Sequence, residues 1–181
     1  MCRNETISQI WSQIHLNDLT TASYNNWFKS DHPCPLCKAD IKNDLFHIIL
    51  HCSFTKRVWH DLDYFLKKLS VTHVSAQEMA FGLEGNSPVL LVRNWLTFLL
   101  RECIVQQEKL AFHNDLGEGN IIHLKHVFNA RVIKEVCEAY ELAKHDQQLD
   151  KFYTLRNPGR VFFVDPNGGI CRENIVRIFK L

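Results

Sequence analysis

The segment DHPCPLCKADIKNDLFHIILHCSFTKRVW, residues 31–59, concentrates three of the chain's seven cysteines and three of its ten histidines. Within it, Cys34-x2-Cys37-x9-His47-x4-Cys52 has the spacing of a closed metal knot. Two cysteines separated by two residues aim both sulfurs at one point from a tight turn. His47 and Cys52 lie a little over one helical turn apart and reach the same point if a helix ends between them. Three thiolates and one imidazole suit tetrahedral Zn2+. His51 is a rival for the third position, although it adjoins Cys52, and adjacent residues chelate one tetrahedral ion awkwardly; His32 is a more distant rival. With four protein ligands there is no open position for water or substrate, so the expected site is structural and argues against a zinc hydrolase.

The rest of the chain must fold around that knot. Its 181 residues are 46% hydrophobic and 23% charged, the balance of an ordinary folded protein. The net charge is +1, so any electrostatic attraction to a polyanion has to be local. The opening MCRNETISQI lacks the apolar run of a secretory leader. A reducing intracellular setting is therefore expected, in which clustered cysteines serve as metal ligands rather than disulfides. The apolar stretch PVLLVRNWLTFLL is broken by Arg93, Asn94 and Thr97, which predicts a buried helix rather than a membrane span.

Hydrophobic periodicity predicts a mainly α protein. Thr6-Ile7-Ser8-Gln9 reads as a capping box opening one helix, and residues 21–29 read as another. A short helix is expected over 44–51, with Ser53 as the cap of the next, whose apolar stripe is Phe54, Val58, Trp59, Leu62, Phe65, Leu66 and Leu69. Ser75-Ala76-Gln77-Glu78 opens a brief helix ending near Gly82. Long helices follow from 88 to about 113, with Ser87 as cap and Pro88 at its first position, and over roughly 121–146. The terminal GRVFFVDPNGGICRENIVRIFKL has two β-rich runs around a Pro/Gly turn, predicting a small C-terminal β-hairpin. The expected organisation is a helical zinc-binding lobe over 1–82 and a helical lobe with the hairpin over 83–181. Trp11, Trp27, Trp59 and Trp95 all fall in apolar stripes and are expected in the core, as are Cys103 and Cys137.

The segment CPLCKADIKNDLFHIILHCSFTKRVWHDL resembles the zinc-binding (CCHC) segment downstream of the reverse transcriptase in non-LTR (LINE-type) retrotransposon proteins. The resemblance rests on Cys34-Pro35-Leu36-Cys37, His47-Ile48-Ile49, Cys52-Ser53-Phe54 and Trp59; the loop between Cys37 and His47 is slightly longer than is usual in that family. It implies a non-catalytic accessory module that binds template RNA and/or target DNA during target-primed reverse transcription. Its other partner would be the reverse transcriptase body of the same polyprotein. It also implies a cytoplasmic ribonucleoprotein and the nucleus as the setting, with no membrane and no small-molecule substrate. Neither a paired-aspartate polymerase motif nor a restriction-like nuclease pattern occurs, so no enzyme activity is expected. Two alternatives stand beside this: a protein-docking scaffold, or a host-domesticated retrotransposon fragment without direct nucleic-acid binding.

Local charge supplies candidate contacts. Residues 151–181 carry Lys151, Arg156, Arg160, Arg172, Arg177 and Lys180 against Asp165 and Glu173, with Phe152, Tyr153, Phe162 and Phe163 interleaved. Such a surface tracks phosphates and stacks on bases. Lys56, Arg57, Lys67 and Lys68 extend a basic face beside the knot, which otherwise is the solvated side of a helix.

Overall fold

A computed structural model describes residues 33–40, 47–67, 82–83, 85, 87–113, 120–155 and 178–179. These residues are mainly helical. A π-helical turn, His47–His51, leads into α1 (Ser53–Lys67); α2 (Pro88–His113), α3 (Ile121–His145) and the short α4 (Leu149–Leu155) follow. No strand occurs among the described residues. The expected hairpin lies outside them except for Ile178 and Phe179, a buried bend, as do the expected helices over 21–29 and 75–82, apart from Gly82, and the capping box at Thr6.

Helix α1 forms because its apolar residues recur at three- and four-residue steps, burying Phe54, Val58, Trp59, Leu62, Phe65 and Leu66 on one face. Full burial of side chains of this kind stabilises by about 1.5–3 kcal/mol each relative to exposure. The long α2 begins as its sequence dictates. Ser87 Oγ accepts from the Leu90 N–H at 3.3 Å and the Ser87 carbonyl accepts from Leu91 at 3.0 Å, with Pro88 just inside. Its burial is nearly all-round: Val92, Leu96, Leu99, Leu100, Cys103 and Ile104 are in the core, and so are Arg93, Thr97 and Arg101. No helix of the described residues is long and apolar enough to cross a membrane.

Asn120 caps α3 through its side chain, 2.9 Å from the His123 N–H. At the other end Gln147 adopts a left-handed φ of 58°, and the Gln148 N–H reaches back to the Ala143 carbonyl at 2.7 Å. This six-to-one closure turns the chain sharply into α4. The helix α4 is absent from the sequence reading, which placed Phe152 and Tyr153 beside a nucleic-acid-binding hairpin. Instead Phe152 is buried edge-on against Tyr140, with centroids 5.5 Å apart, and serves the core.

Two kinds of polar contact hold the helices in register. Between α2 and α3, the Trp95 indole donates to Glu135 at 2.8 Å, and Arg131 bridges Glu135 and Glu102. The second kind is a side-chain amide that grips a backbone unit with two hydrogen bonds. Asn94 on α2 donates to the Leu83 carbonyl at 2.7 Å and accepts the Leu83 N–H at 2.9 Å. Asn129 on α3 does the same with Phe179, at 3.1 and 3.3 Å, while the Phe179 ring lies 5.0 Å from that of Phe128. One continuous hydrophobic cluster includes Cys34, Leu36 and Phe54 as well as Leu96, Phe128 and Phe179, so residues on both sides of position 82 share it.

Asn129→Ala would strand the buried N–H and C=O of Phe179. A loss of about 2 kcal/mol is expected, since an orphaned buried polar group costs roughly 1–3 kcal/mol. A urea unfolding curve with an unshifted midpoint in this variant would contradict the anchoring role.

Candidate metal centre

The turn that begins the centre is built by backbone bonds across Cys34-Pro35-Leu36-Cys37. The Lys38 N–H donates to the Cys34 carbonyl at 2.8 Å, and the Cys34 N–H donates to Ala39 at 3.1 Å. Closing it places Lys38 in the left-handed region, with φ at 57°. That conformation costs a non-glycine residue on the order of 1 kcal/mol. Nothing about a lysine announces such a position.

The second half is built by the π-helical turn. The Cys52 N–H donates to the His47 carbonyl at 2.6 Å, a five-residue closure in place of the four-residue closure of an α-helix. The wider turn brings His47 and Cys52 onto one side despite their spacing. A helix ending between them was expected; its first residues, 44–46, lie outside the described residues. The cap of α1 differs from expectation by one residue. The Cys52 carbonyl, not that of Ser53, accepts the first helical bond, from Lys56 at 3.0 Å, and also the Thr55 hydroxyl at 3.1 Å. A candidate ligand is therefore the N-cap of the helix that follows it.

Together the two turns bring Cys34, Cys37, His47 and Cys52 to one point, with their four ligand atoms all within 4.8 Å of one another. Cys34 Sγ lies 3.9 Å from Cys52 Sγ, and Cys37 Sγ lies 3.4 Å from His47 Nε2. Cys34, His47 and Cys52 are buried and Cys37 is half-buried. The quartet fits a single metal ion. His51, the near rival, is exposed on the turn and outside the cluster; His32 lies outside the described residues.

The electrostatics favour a cation. The hydrogen bond with Cys34, together with the N–H groups of Thr55 and Phe54 at the start of α1, lowers Cys52 to about 5 against the opposing effect of burial. Cys34 is pushed up by the same bond and by burial, while the N–H groups of Cys37 and Leu36 pull it down. Thiolates are the metal-binding form of cysteine, so the downward shift at Cys52 favours a cation at this point.

Trp59 supports the centre from outside. Its indole N–H donates to the Ile49 carbonyl at 2.7 Å, tying the first turns of α1 to the π-helical turn. Burial of Trp59 was expected from the sequence; this bond was not, although a tryptophan seven residues beyond the last cysteine is the available signal. Of the other cysteines, Cys103 is buried and Cys137 half-buried, and burial pushes the Cys103 thiol up to about 11. His123 is bonded to Gln107 at 2.9 Å and His126 is exposed, so these two form no centre of their own. Lys56 and Arg57 are exposed on α1, whereas Arg156, Arg160, Arg172, Arg177 and Lys180 lie outside the described residues.

Two substitutions probe the supports. Trp59→Phe keeps the ring but orphans the Ile49 carbonyl, for an expected loss of about 1–2 kcal/mol. Thermal melts with and without metal would measure it, and an unchanged melt would remove the indole bond from the account. Lys38→Gly relieves the left-handed turn and should raise stability by about 0.5–1 kcal/mol; a lower melting temperature would contradict the strain there.

Comparison with known proteins supplies no relative: no family model, no curated protein and no solved structure matches this chain.

Proposed function

We propose that the quartet holds a structural Zn2+ and that the chain is a non-catalytic nucleic-acid-binding accessory module of a LINE-type reverse transcriptase. The observation that carries this is the convergence of Cys34, Cys37, His47 and Cys52 in the motif on which the family resemblance rests. Zinc is the ion the donors favour. With Zn–S near 2.3 Å, a tetrahedral site has S–S edges of about 3.8 Å, close to the 3.9 Å between Cys34 and Cys52. Soft thiolates with one imidazole disfavour calcium and magnesium.

In this reading the ion has no reaction to perform. It would be held by the four side chains, and the chemistry it supplies is cross-linking: the Cys-x2-Cys turn, the π-helical turn and the start of α1 become one rigid body. That body presents Lys56 and Arg57 on its solvent side, where phosphates are the complementary charge. The module would act on template RNA or target DNA by holding it, beside the polymerase body of the same polyprotein.

A second reading, a docking scaffold for that polymerase body, has one observation in its favour. A groove of about 540 Å³ is lined by Trp95, Val136, Ala139 and Leu142, itself 56% exposed, and equally by the charged Arg131, Lys134, Glu135 and Glu138. Apolar and charged side chains side by side are the surface that a protein partner covers.

The test has two parts. Purified protein should carry one zinc per chain by elemental analysis, and Cys37→Ser or chelation should abolish that content and lower the thermal midpoint sharply. Fluorescence anisotropy with labelled single-stranded RNA, duplex RNA and DNA across a salt titration should give micromolar or tighter binding that weakens steeply with salt. Zinc content with no binding at low salt would leave the docking scaffold as the function. Absence of zinc would end the metal assignment.

A further inference from the structure

Three of the four side chains of the metal centre are sealed in the molecule and one is not. Cys34, His47 and Cys52 are buried, whereas Cys37 is half-buried and is followed by the exposed Lys38. Solvent therefore reaches the centre at Cys37. Two further thiols stand close behind it, since all four ligand atoms lie within 4.8 Å of one another. Cys34 shares the turn with Cys37, and backbone bonds close that turn, from the Cys34 N–H to Ala39 at 3.1 Å and from the Lys38 N–H to the Cys34 carbonyl at 2.8 Å. Cys52 instead belongs to a separately built element, the start of α1. A bridge between Cys34 and Cys37 brings two sulfurs to about 2.0 Å inside one turn and moves neither turn against the other. An accessible sulfur backed by a second thiol is the arrangement that responds to oxidants.

We infer that Cys37 is a modification site for hydrogen peroxide, and that its oxidation to a Cys34–Cys37 disulfide releases the metal ion and uncouples the Cys-x2-Cys turn from α1. The inference rests on the Zn2+ reading above and adds its regulation. The Cys37 thiolate attacks one peroxide oxygen; an S–O bond forms, the O–O bond breaks and hydroxide leaves. The Cys34 thiolate then attacks the Cys37 sulfur; the S–S bond forms, the S–O bond breaks and a second hydroxide leaves. Two thiolates lose two electrons, and the peroxide, with two protons from water, becomes two waters. His47 and Cys52 remain as the only donors of the quartet, too few to hold a tetrahedral ion. The new bridge lies within one turn, so it does not replace the cross-link to the π-helical turn and α1.

The test treats the whole zinc-loaded chain with hydrogen peroxide. Zinc should be released into a chromogenic chelator too weak to strip the untreated protein. After alkylation and trypsin, the peptide SDHPCPLCK, residues 30–38, carries both Cys34 and Cys37. It should emerge unalkylated, lighter by two hydrogens and linked to no other peptide, while Cys52 in residues 43–56 stays alkylated. The thermal midpoint should fall with the zinc content, and dithiothreitol with added zinc should restore both. Cys37→His keeps a Cys2His2 donor set that still suits zinc but removes the accessible thiol, and should slow release by about tenfold or more.

Zinc retained under peroxide, or zinc lost with Cys37 still alkylated, overturns the inference and leaves the metal reading standing. A bridge joining residues 30–38 to residues 43–56 overturns the uncoupling, because it would keep the turn tied to α1. Release from a zinc-loaded Cys37→His at the wild-type rate removes Cys37 as the point of entry; if that variant loads no zinc, the peptide map of the wild type decides. A chain that never carries zinc ends both this inference and the reading it rests on.

Discussion

The arrangement of the described residues depends on one backbone hydrogen bond, from the Cys52 N–H to the His47 carbonyl. A four-residue closure would rotate the chain differently by the time Cys52 is reached, and its sulfur would not meet His47. The five-residue closure does two things at once. It completes the ligand quartet, and it delivers Cys52 to the N-cap of α1, where the N–H groups of Phe54 and Thr55 stabilise its thiolate. The direction of α1 is thereby tied to the position of the metal centre. Because α1 buries Trp59 and bonds it back to Ile49, the helix in turn restrains the π-helical turn that started it. The loop of support is closed, which is why substitution at either the sulfur ligands or the tryptophan acts on the same unit.

What could be read from the sequence followed from patterns that local physics enforces. The helix from 88 to about 113 was legible, its start to the residue, because a serine cap, a proline at the first position and a sustained apolar run agree with one another. The quartet was legible because thiolate and imidazole chemistry restricts spacing. Less was visible where a residue's role depends on geometry rather than type. Lys38 is an ordinary lysine until the turn forces its φ positive. Cys52 as a helix cap was hidden behind Ser53, a better capping residue by composition. The short α4 was overlooked because Leu149–Leu155 is too brief to show a helical period. It is held by Phe152 packing against Tyr140, a contact no local pattern encodes.

The polar residues that interrupt the long helices have a use the apolar pattern conceals. Asn94 and Thr97 break what would otherwise resemble a greasy segment, and Asn94 proves to be an anchor for Leu83. Trp95, one position on, bonds Glu135 across to α3. Arg93 and Arg101 are buried alongside, so α2 carries charged side chains inside the molecule as well as on it. A helix that did no more than fill the core would have little use for these groups, since burying them without partners is costly. Their presence marks α2 as the element to which other segments are fastened.

The amide clamps of Asn94 and Asn129 have a consequence for how the sequence can drift. Each grips the backbone N–H and C=O of its target residue and not its side chain, so the hydrogen bonds at Leu83 and Phe179 are indifferent to which residue stands there, proline excepted. The two asparagines, in contrast, have no substitute that offers a donor and an acceptor at the same reach; glutamine is a methylene too long and aspartate lacks the donor. Among relatives of this chain, Asn94 and Asn129 would then stay fixed while position 83 wanders among apolar residues. Position 179 would remain aromatic only for as long as Phe128 and Lys125 lie against it. The fastening is a socket that holds whatever chain is threaded through it, and the invariance belongs to the socket.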